Sequence, residues 1–306
     1  MKFFIKNLII FLFPITIIAV GAEVLLRKIP NDYLYKSDYL NKNSNNLQVL
    51  ILGASNSFYG IDPEYLKPKS FNAAYVSQSL DYDWRIIEKY DKKFNNLKFI
   101  ILPIDYVTFS YRLKTGAESW RVKNYNIYYD ISDENNITDY SEVLGNKLVT
   151  NLYRVINYYL YHKPAMTSSA LGWGTEYKYK NRKNLLLTGI TAAKSHTVEK
   201  NIFSKEFKEN VEVLKSIIFY ARERNIKVLL YTSPEYKSYV QNLNKNQLDT
   251  TIGAASFLAK KYKNVFYYNL LTDKSFDEMD FYDGDHLNEI GAKKLTRKID
   301  SLLVTL

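Results

Sequence analysis

The longest apolar run comes first. Lys2 and Lys6 precede an uncharged stretch from Asn7 to Ala22; after Glu23, the residues Val24, Leu25 and Leu26 continue to Arg27 and Lys28. A bilayer span needs about 20 largely apolar residues, so this stretch is long enough if Glu23 sits at the interface. Three readings stay open: an uncleaved signal-anchor helix over residues 1–28, a cleaved signal peptide with Ala19-Val20-Gly21 as a passable processing site, and a buried core helix. The anchor is preferred because helix-compatible residues run unbroken through Glu23 to Arg27. Anchor and signal both place the remainder outside the cytoplasm, in a bacterial periplasm or at the cell surface. Basic residues flank the run on both sides, so their distribution sets no orientation.

Beyond residue 28 the apolar runs are short and regularly spaced. Gln48–Leu52, Phe71–Ala74, Lys98–Leu102, Ile226–Tyr231 and Asn264–Tyr268 read as buried strands. Helical spacing appears at Trp84, Ile87 and Tyr90 within 81–91, and at Val211, Leu214, Ile217, Ile218 and Ala221 within 207–224. Further helices are expected over 247–262 and 289–303, and the polar segment Asn41–Asn46 reads as a loop. Strands alternating with helices predict an α/β fold with a parallel sheet covered on both faces. Residues 108–199 break the rhythm. They are rich in tyrosine, with a helix expected over 149–161 and a glycine-rich piece at Leu171-Gly172-Trp173-Gly174. This stretch is expected to be an insertion in a domain spanning 29–306. It would wall the site with exposed tyrosine and tryptophan, Trp173 foremost.

Composition narrows the chemistry. A chain of 306 residues can bury the core of one large α/β domain. The absence of cysteine excludes disulfides, cysteine zinc sites and a thiol nucleophile. The net charge of +10 favours anionic partners such as lipid or an acidic polymer. The lysines are scattered and no nucleic-acid motif is present, so nucleic acid is not an expected partner. The 28 tyrosines suit partly wet interfaces, although a Lys/Asn/Ile/Tyr-rich coding bias would produce them too.

Two segments carry candidate chemistry. Gly53-Ala54-Ser55-Asn56-Ser57 directly follows the first expected strand of the sheet. The glycine permits a sharp turn there, and open α/β sheets display reactive groups at the carboxyl ends of their strands. Phe281-Tyr282-Asp283-Gly284-Asp285-His286-Leu287-Asn288 precedes the last helix. A serine nucleophile needs a base within hydrogen-bond reach and a carboxylate to orient that base. Of His162, His196 and His286, only His286 has carboxylates so near in sequence. Plain turn and cap roles remain open for both segments. Asp283, Asp285 and His286 are also possible metal ligands by type, yet no second cluster with ligand spacing accompanies them; neither a metal nor a cofactor is expected. Ser233-Pro234-Glu235-Tyr236, after the fourth strand, would lie near the same sheet edge, as substrate contact or plain turn. His196 is read as a surface or packing residue in preference to a substrate ligand.

Together these segments resemble the first and last blocks of the SGNH/GDSL hydrolase superfamily, in which Gly-x-Ser opens the domain and Asp-x-x-His closes it. The strings from Leu52 to Pro63 and from Asp283 to Ala292 look like those of membrane-anchored bacterial envelope members. The resemblance covers about residues 47–106 and 205–303. It implies a flavodoxin-like three-layer α/β/α sandwich, with Ser55 as nucleophile, His286 as base and Asp283 as its orienting partner. The family's oxyanion hole usually combines a glycine N–H with an asparagine amide. Here Ser77 stands in the glycine position, which keeps a backbone N–H, and Asp105 in the asparagine position. An ionised aspartate only accepts hydrogen bonds, so Asn56 is a substitute donor to consider. The resemblance further implies acyl transfer at the cell envelope: O-acetylation of an exported polysaccharide through an acyl-Ser55, beside a membrane-bound O-acyltransferase partner. A carbohydrate deacetylase with the same site, and a non-catalytic glycan-binding protein that keeps the fold, are the alternatives.

Overall fold

The computed structural model describes residues 1–132 and 137–306. Five parallel strands form one sheet: β1 (Val49–Ile51), β2 (Ser70–Asn72), β3 (Phe99–Pro103), β4 (Lys227–Thr232) and β5 (Val265–Asn269), in the order β2-β1-β3-β4-β5. The register is continuous across the centre, with Leu50 beside Ile100 and Ile100 beside Val228. The helices that organise the chain are α1 (Lys2–Lys28), α2 (Asp32–Asn43), α3 (Ser55–Gly60), α4 (Leu80–Tyr90), α5 (Leu148–Val155), α6 (Leu185–His196), α7 (Lys200–Glu223), α8 (Lys245–Lys261) and α9 (Glu289–Thr305). The strand order is that of flavodoxin-like doubly wound sheets, whose strand order reverses between β1 and β3.

The pleat explains why the central strands read as unbroken apolar runs. Successive side chains point to opposite faces, and both faces are covered. Val49, Ile51, Ile101, Leu229 and Tyr231 share a core with Leu295, Ile299 and Leu303 of α9. Leu50, Ile100, Leu102, Val228 and Leu230 alternate with them and are fully buried as well. On that side α7 touches β4 and packs against α4, with Ile86, Ile87, Leu214, Ile217, Ile218 and Ala221 all buried.

The chain divides into two compact units, one of residues 1–38 with 117–167, the other of 39–116 with 168–306. The sheet lies wholly in the second. The stretch anticipated as one insertion is thus shared, residues 117–167 falling in the first unit and the rest in the second. In the first unit, α1 is long and apolar enough to cross a membrane, and its side chains from Phe3 to Ile18 are mostly exposed. Its Leu26, and Ile29 just after it, are buried. Glu23 accepts hydrogen bonds from Arg27, from the Ser141 hydroxyl and from the N–H groups of Glu142 and Val143. The carboxylate that interrupts the apolar run therefore organises the 141–143 turn.

Two expectations need correction here. Asn41–Asn46 is not a loop: α2 continues to Asn43 and a tight helical turn covers Ser44–Asn46. The polar side chains bond back to carbonyls four residues earlier, Asn43 to Tyr39 and Ser44 to Leu40, and so close the helix end. Trp173 is not an exposed wall residue. It is 8% exposed, and its indole N–H donates to the Tyr59 carbonyl at 2.7 Å.

Gly53 closes β1 with φ +109°, and a Cβ there would lie 2.3 Å from the Pro103 ring. Both the left-handed backbone and the close approach demand glycine. Gly53→Ala should therefore lose roughly 2–4 kcal/mol of stability by urea unfolding; an unchanged midpoint would show that the turn relaxes freely.

Candidate active site

Ser55 is placed by the end of β1. Gly53 makes the turn, Ala54 is extended and accepts the N–H groups of Ser57 and Phe58, and Ser55 begins α3. The turn is tied from beside it, for both the Gly53 N–H and the Gln78 side chain donate to Asp83 Oδ1, at 2.8 and 2.6 Å. Asp105 follows β3, so Ser55 and Asp105 sit at the carboxyl ends of the two strands that flank the switch point.

The second segment is a short closed loop. Phe281 pairs with Leu287 as an antiparallel bridge, and the Tyr282 N–H donates to the His286 carbonyl at 2.9 Å. Asn288 anchors its exit: Oδ1 accepts from the Ile290 and Gly291 N–H groups at the start of α9, and Nδ2 donates to the Met279 and Phe281 carbonyls. Gly284 lies so close to α6 that a Cβ would be 2.2 Å from the Gly189 Cα. Its N–H donates to Thr188 Oγ1, and its carbonyl accepts from Tyr236. Asp283 and His286 thus project from a clamped loop.

These two segments, 231 positions apart from Ser55 to His286, meet. His286 Nε2 is 2.8 Å from Ser55 Oγ, and His286 Nδ1 is 2.9 Å from Asp283 Oδ1. With the proton on Nδ1 donated to Asp283, Nε2 is free to accept the serine proton, the arrangement general-base catalysis requires. Asp285 Oδ1 lies 3.6 Å from the same Nδ1. Burial alone would push the His286 ring down, but the charges of Asp285 and Asp283 outweigh it and lift it to about 9. Burial alone would raise Asp283; the His286 ring and the Asp285 N–H hold it below the usual carboxylate range. Burial pushes Asp285 up to about 6. Donor atoms of Asp283, Asp285 and His286 lie within 4.8 Å of one another, a possible metal cluster, but the His286 nitrogens already serve Ser55 and Asp283.

The expected oxyanion residues take different positions. Asp105 Oδ2 accepts from Asn56 Nδ2 at 2.9 Å and Oδ1 from the Ser233 N–H at 2.8 Å. The second Asn56 amide hydrogen goes to Glu235 Oε1 at 3.0 Å. Both donors of Asn56 are therefore spent on carboxyl groups, and neither Asp105 nor Asn56 offers a free amide to an oxyanion in this arrangement. Burial raises both acids, Glu235 well above its ordinary value. Ser77 has φ +61°, the left-handed conformation glycine adopts without cost. Among the described residues, the backbone N–H groups of Ser55 and Ser77 have no hydrogen-bond acceptor.

Sequence reasoning missed other parts of the site. Tyr59, Tyr177 and Tyr282 form a continuous stack with centroid spacings of 3.6 and 3.9 Å. The His286 ring meets Tyr177 edge-on at 5.3 Å and Tyr59 at 6.2 Å. Tyr177 belongs to the irregular stretch whose aromatic content was the only signal for it. Glu235 was legible only as part of a strand-end turn. His196 bonds through Nδ1 to the Tyr239 hydroxyl at 2.8 Å and lies 4.0 Å from Asp285. Burial and the charge of His286 push it down to about 4, so it stays neutral beside the site.

No family model and no curated protein matches this sequence. Solved structures do match along most of the chain. One is a protein proposed as a platelet activating factor from Streptococcus pneumonia: 11% identity, 96% of this chain and 98% of that one, TM-score 0.43. A GDSL-like lipase from Bacteroides thetaiotaomicron is 10% identical over 90% of this chain and 100% of that one, TM-score 0.40. A protein assigned as an acylhydrolase from Bacteroides fragilis is 9% identical over 87% of this chain and 95% of that one, TM-score 0.39. The likeness is one of fold. The chemistry rests on the geometry of Ser55, His286 and Asp283.

The base must be neutral to take the serine proton, so ester turnover should rise with pH as His286 deprotonates through about 9. The same shift stabilises the fold below His286's unperturbed value of 6.5, and that contribution disappears as pH rises through about 9. Asp285→Asn removes the largest charge holding the ring protonated and should move the kcat/KM limb to lower pH. A limb that stays in place would show that Asp285 does not control the base.

Proposed function

We propose that this chain is a serine-dependent acyl-transfer enzyme of the esterase type that works through an acyl-Ser55. The observation that carries the reading is the continuous hydrogen-bond relay Ser55–His286–Asp283, with contacts of 2.8 and 2.9 Å. In the first half-reaction Ser55 Oγ attacks the carbonyl carbon of an acyl donor while its proton passes to His286 Nε2. Asp283 stabilises the imidazolium that results. The Ser55 and Ser77 N–H groups, which have no acceptor of their own, would receive the developing oxyanion. Collapse breaks the bond to the leaving group, which takes the proton back from His286 and leaves the acyl group on Ser55. In the second half-reaction an acceptor hydroxyl gives its proton to His286 and attacks the acyl carbon; Ser55 departs and recovers its proton.

The finer reading is that the acceptor is a sugar hydroxyl of an exported polysaccharide and the transferred group an acetyl. Its support is the apolar α1 helix, which would hold the enzyme at a membrane, and the net charge of +10, which suits an acidic polymer. A membrane-bound O-acyltransferase partner would supply the acyl group. Transfer in water demands an acceptor held at high effective concentration, which well-oriented groups reach at about 10⁵–10⁸ M. The spent Asn56 amide removes one oxyanion donor, which can cost about 10²–10³ in rate whether water or a sugar hydroxyl attacks.

The test compares acetyl gain by a glycan with acetyl release from it, for the anchored protein with its donor system. Ser55→Ala should lower gain by about 10³-fold or more with the fold intact. Fast Ser55-dependent release with no gain under any donor would replace the transferase by a carbohydrate deacetylase. Equal rates for wild type and Ser55→Ala would leave glycan binding as the function.

A further inference from the structure

The first unit presents an apolar face that its own packing leaves open. Along α5 and the wider helical turn that continues it over Ile156–Leu160, the residues Leu148, Val149, Leu152, Tyr153, Ile156 and Leu160 are exposed. They recur at spacings of one, three and four, which is one side of a helix. The opposite side turns polar groups inward. Asn151 Nδ2 donates to the Glu142 carbonyl at 2.8 Å, and Arg154 pairs with the fully buried Glu142 carboxylate, which also holds Lys123 and the Tyr128 hydroxyl. The helix is thus fixed by an internal ion cluster, with its apolar side turned outward. Packing against the protein would normally use the apolar side.

The helix lies beside α1. Tyr159 donates to the Leu25 carbonyl at 2.9 Å. At the other end, Asn151 bonds to Glu142, whose N–H donates to Glu23. Both ends of the helix are therefore tied, directly through Tyr159 and by way of Glu142 through Asn151, to residues 23–25 of α1. Read as a span, α1 would bring residues 23–25 near one edge of the hydrocarbon layer, since the uncharged stretch from Asn7 to Ala22 covers about 24 Å of the roughly 30 Å that layer measures.

We propose that this helix, Leu148–Leu160, lies flat in the headgroup region of a lipid bilayer, its apolar side sunk toward the acyl chains. The inference rests on the reading of α1 as a membrane span. The surrounding residues fit such a seat. Tyr153, Tyr161 and Trp120 are exposed aromatic groups of the same unit, as in the aromatic belts at membrane surfaces. Lys147 and Lys163 flank the helix and are exposed, where long cationic side chains reach toward lipid phosphates. An amphipathic helix of this kind buries its apolar face about 5–10 Å into the boundary. The bilayer would then hold the first unit by two elements, one crossing and one lying on the surface.

The sequence contains no cysteine, so single labelling sites can be introduced freely. The full chain would be reconstituted in phosphatidylethanolamine/phosphatidylglycerol vesicles, carrying a fluorophore on Val149→Cys, Leu152→Cys, Ile10→Cys or Phe257→Cys. Nitroxide lipids labelled near the headgroup should quench positions 149 and 152 several-fold more than position 257, and iodide should reach them several-fold less. Lipids labelled near the chain ends should quench position 10. Three results would overturn the proposal. Positions 149 and 152 as open to iodide as 257, with position 10 still deep, would leave the span standing without the surface helix. Shielding of 149 and 152 from both quenchers would mean that protein covers the face. Iodide access to position 10 would remove the span and the surface helix together.

Discussion

The contact between His286 Nε2 and Ser55 Oγ joins the two ends of the α/β unit, and most of the local structure exists to hold it at 2.8 Å. On one side stands the turn after β1, possible only because Gly53 accepts a left-handed backbone against Pro103. Asp83 fastens that turn by receiving the Gly53 N–H. On the other side stands the closed loop from Phe281 to Leu287, braced by Asn288 at the start of α9 and pressed against Gly189 of α6. Moving either segment away would break the buried hydrogen bonds that hold it. Such preorganisation is what a serine nucleophile needs, because misplacing the base removes its advantage over water.

The electrostatic setting of that contact is unusual in its acidity. Asp283 orients the ring, Asp285 adds a second negative charge beside it, and Asp105 and Glu235 converge on the Asn56 amide one residue from the nucleophile. Buried carboxyl groups this close to one another resist ionising together. Burial indeed raises Asp105, Glu235 and Asp285, while Asp283 alone is held low by its partner. The result is a base whose protonated form is favoured, and a site where amide donors are occupied and backbone N–H groups remain for the oxyanion. The Ser55–His286–Asp283 relay is thus joined without a gap, whereas the Asn56 side-chain amide is occupied; on the proposed mechanism, stabilisation of the oxyanion would fall to backbone N–H groups.

What the sequence disclosed follows from where the information lies. The strands β1, β3 and β4 read correctly because parallel strands buried on both faces are continuous apolar runs, and the alternation with helices gave the sheet its class. Ser55, Asp283 and His286 were legible because each belongs to a short local motif at a strand or helix end. The partners of Asn56 were not, since Asp105 and Glu235 arrive from β3 and β4 and no local pattern announces their meeting. The same holds for the stack of Tyr59, Tyr177 and Tyr282, drawn from three distant segments. Trp173 was misjudged because composition shows an aromatic residue but not whether its N–H finds a buried carbonyl. Glu23 looked like an interruption in an apolar run; the groups that donate to it, Ser141 to Val143, lie more than a hundred residues away.

A functional serine nucleophile is the claim on which the catalytic reading turns. Treating the full-length protein with a serine-directed fluorophosphonate, then weighing the intact chain and mapping its peptides, tests it without any knowledge of the natural substrate. One adduct on Ser55, lost in Ser55→Ala and in His286→Ala while circular dichroism shows the fold unchanged, is the expected result. An unmodified protein, or an adduct carried by another residue, would contradict it.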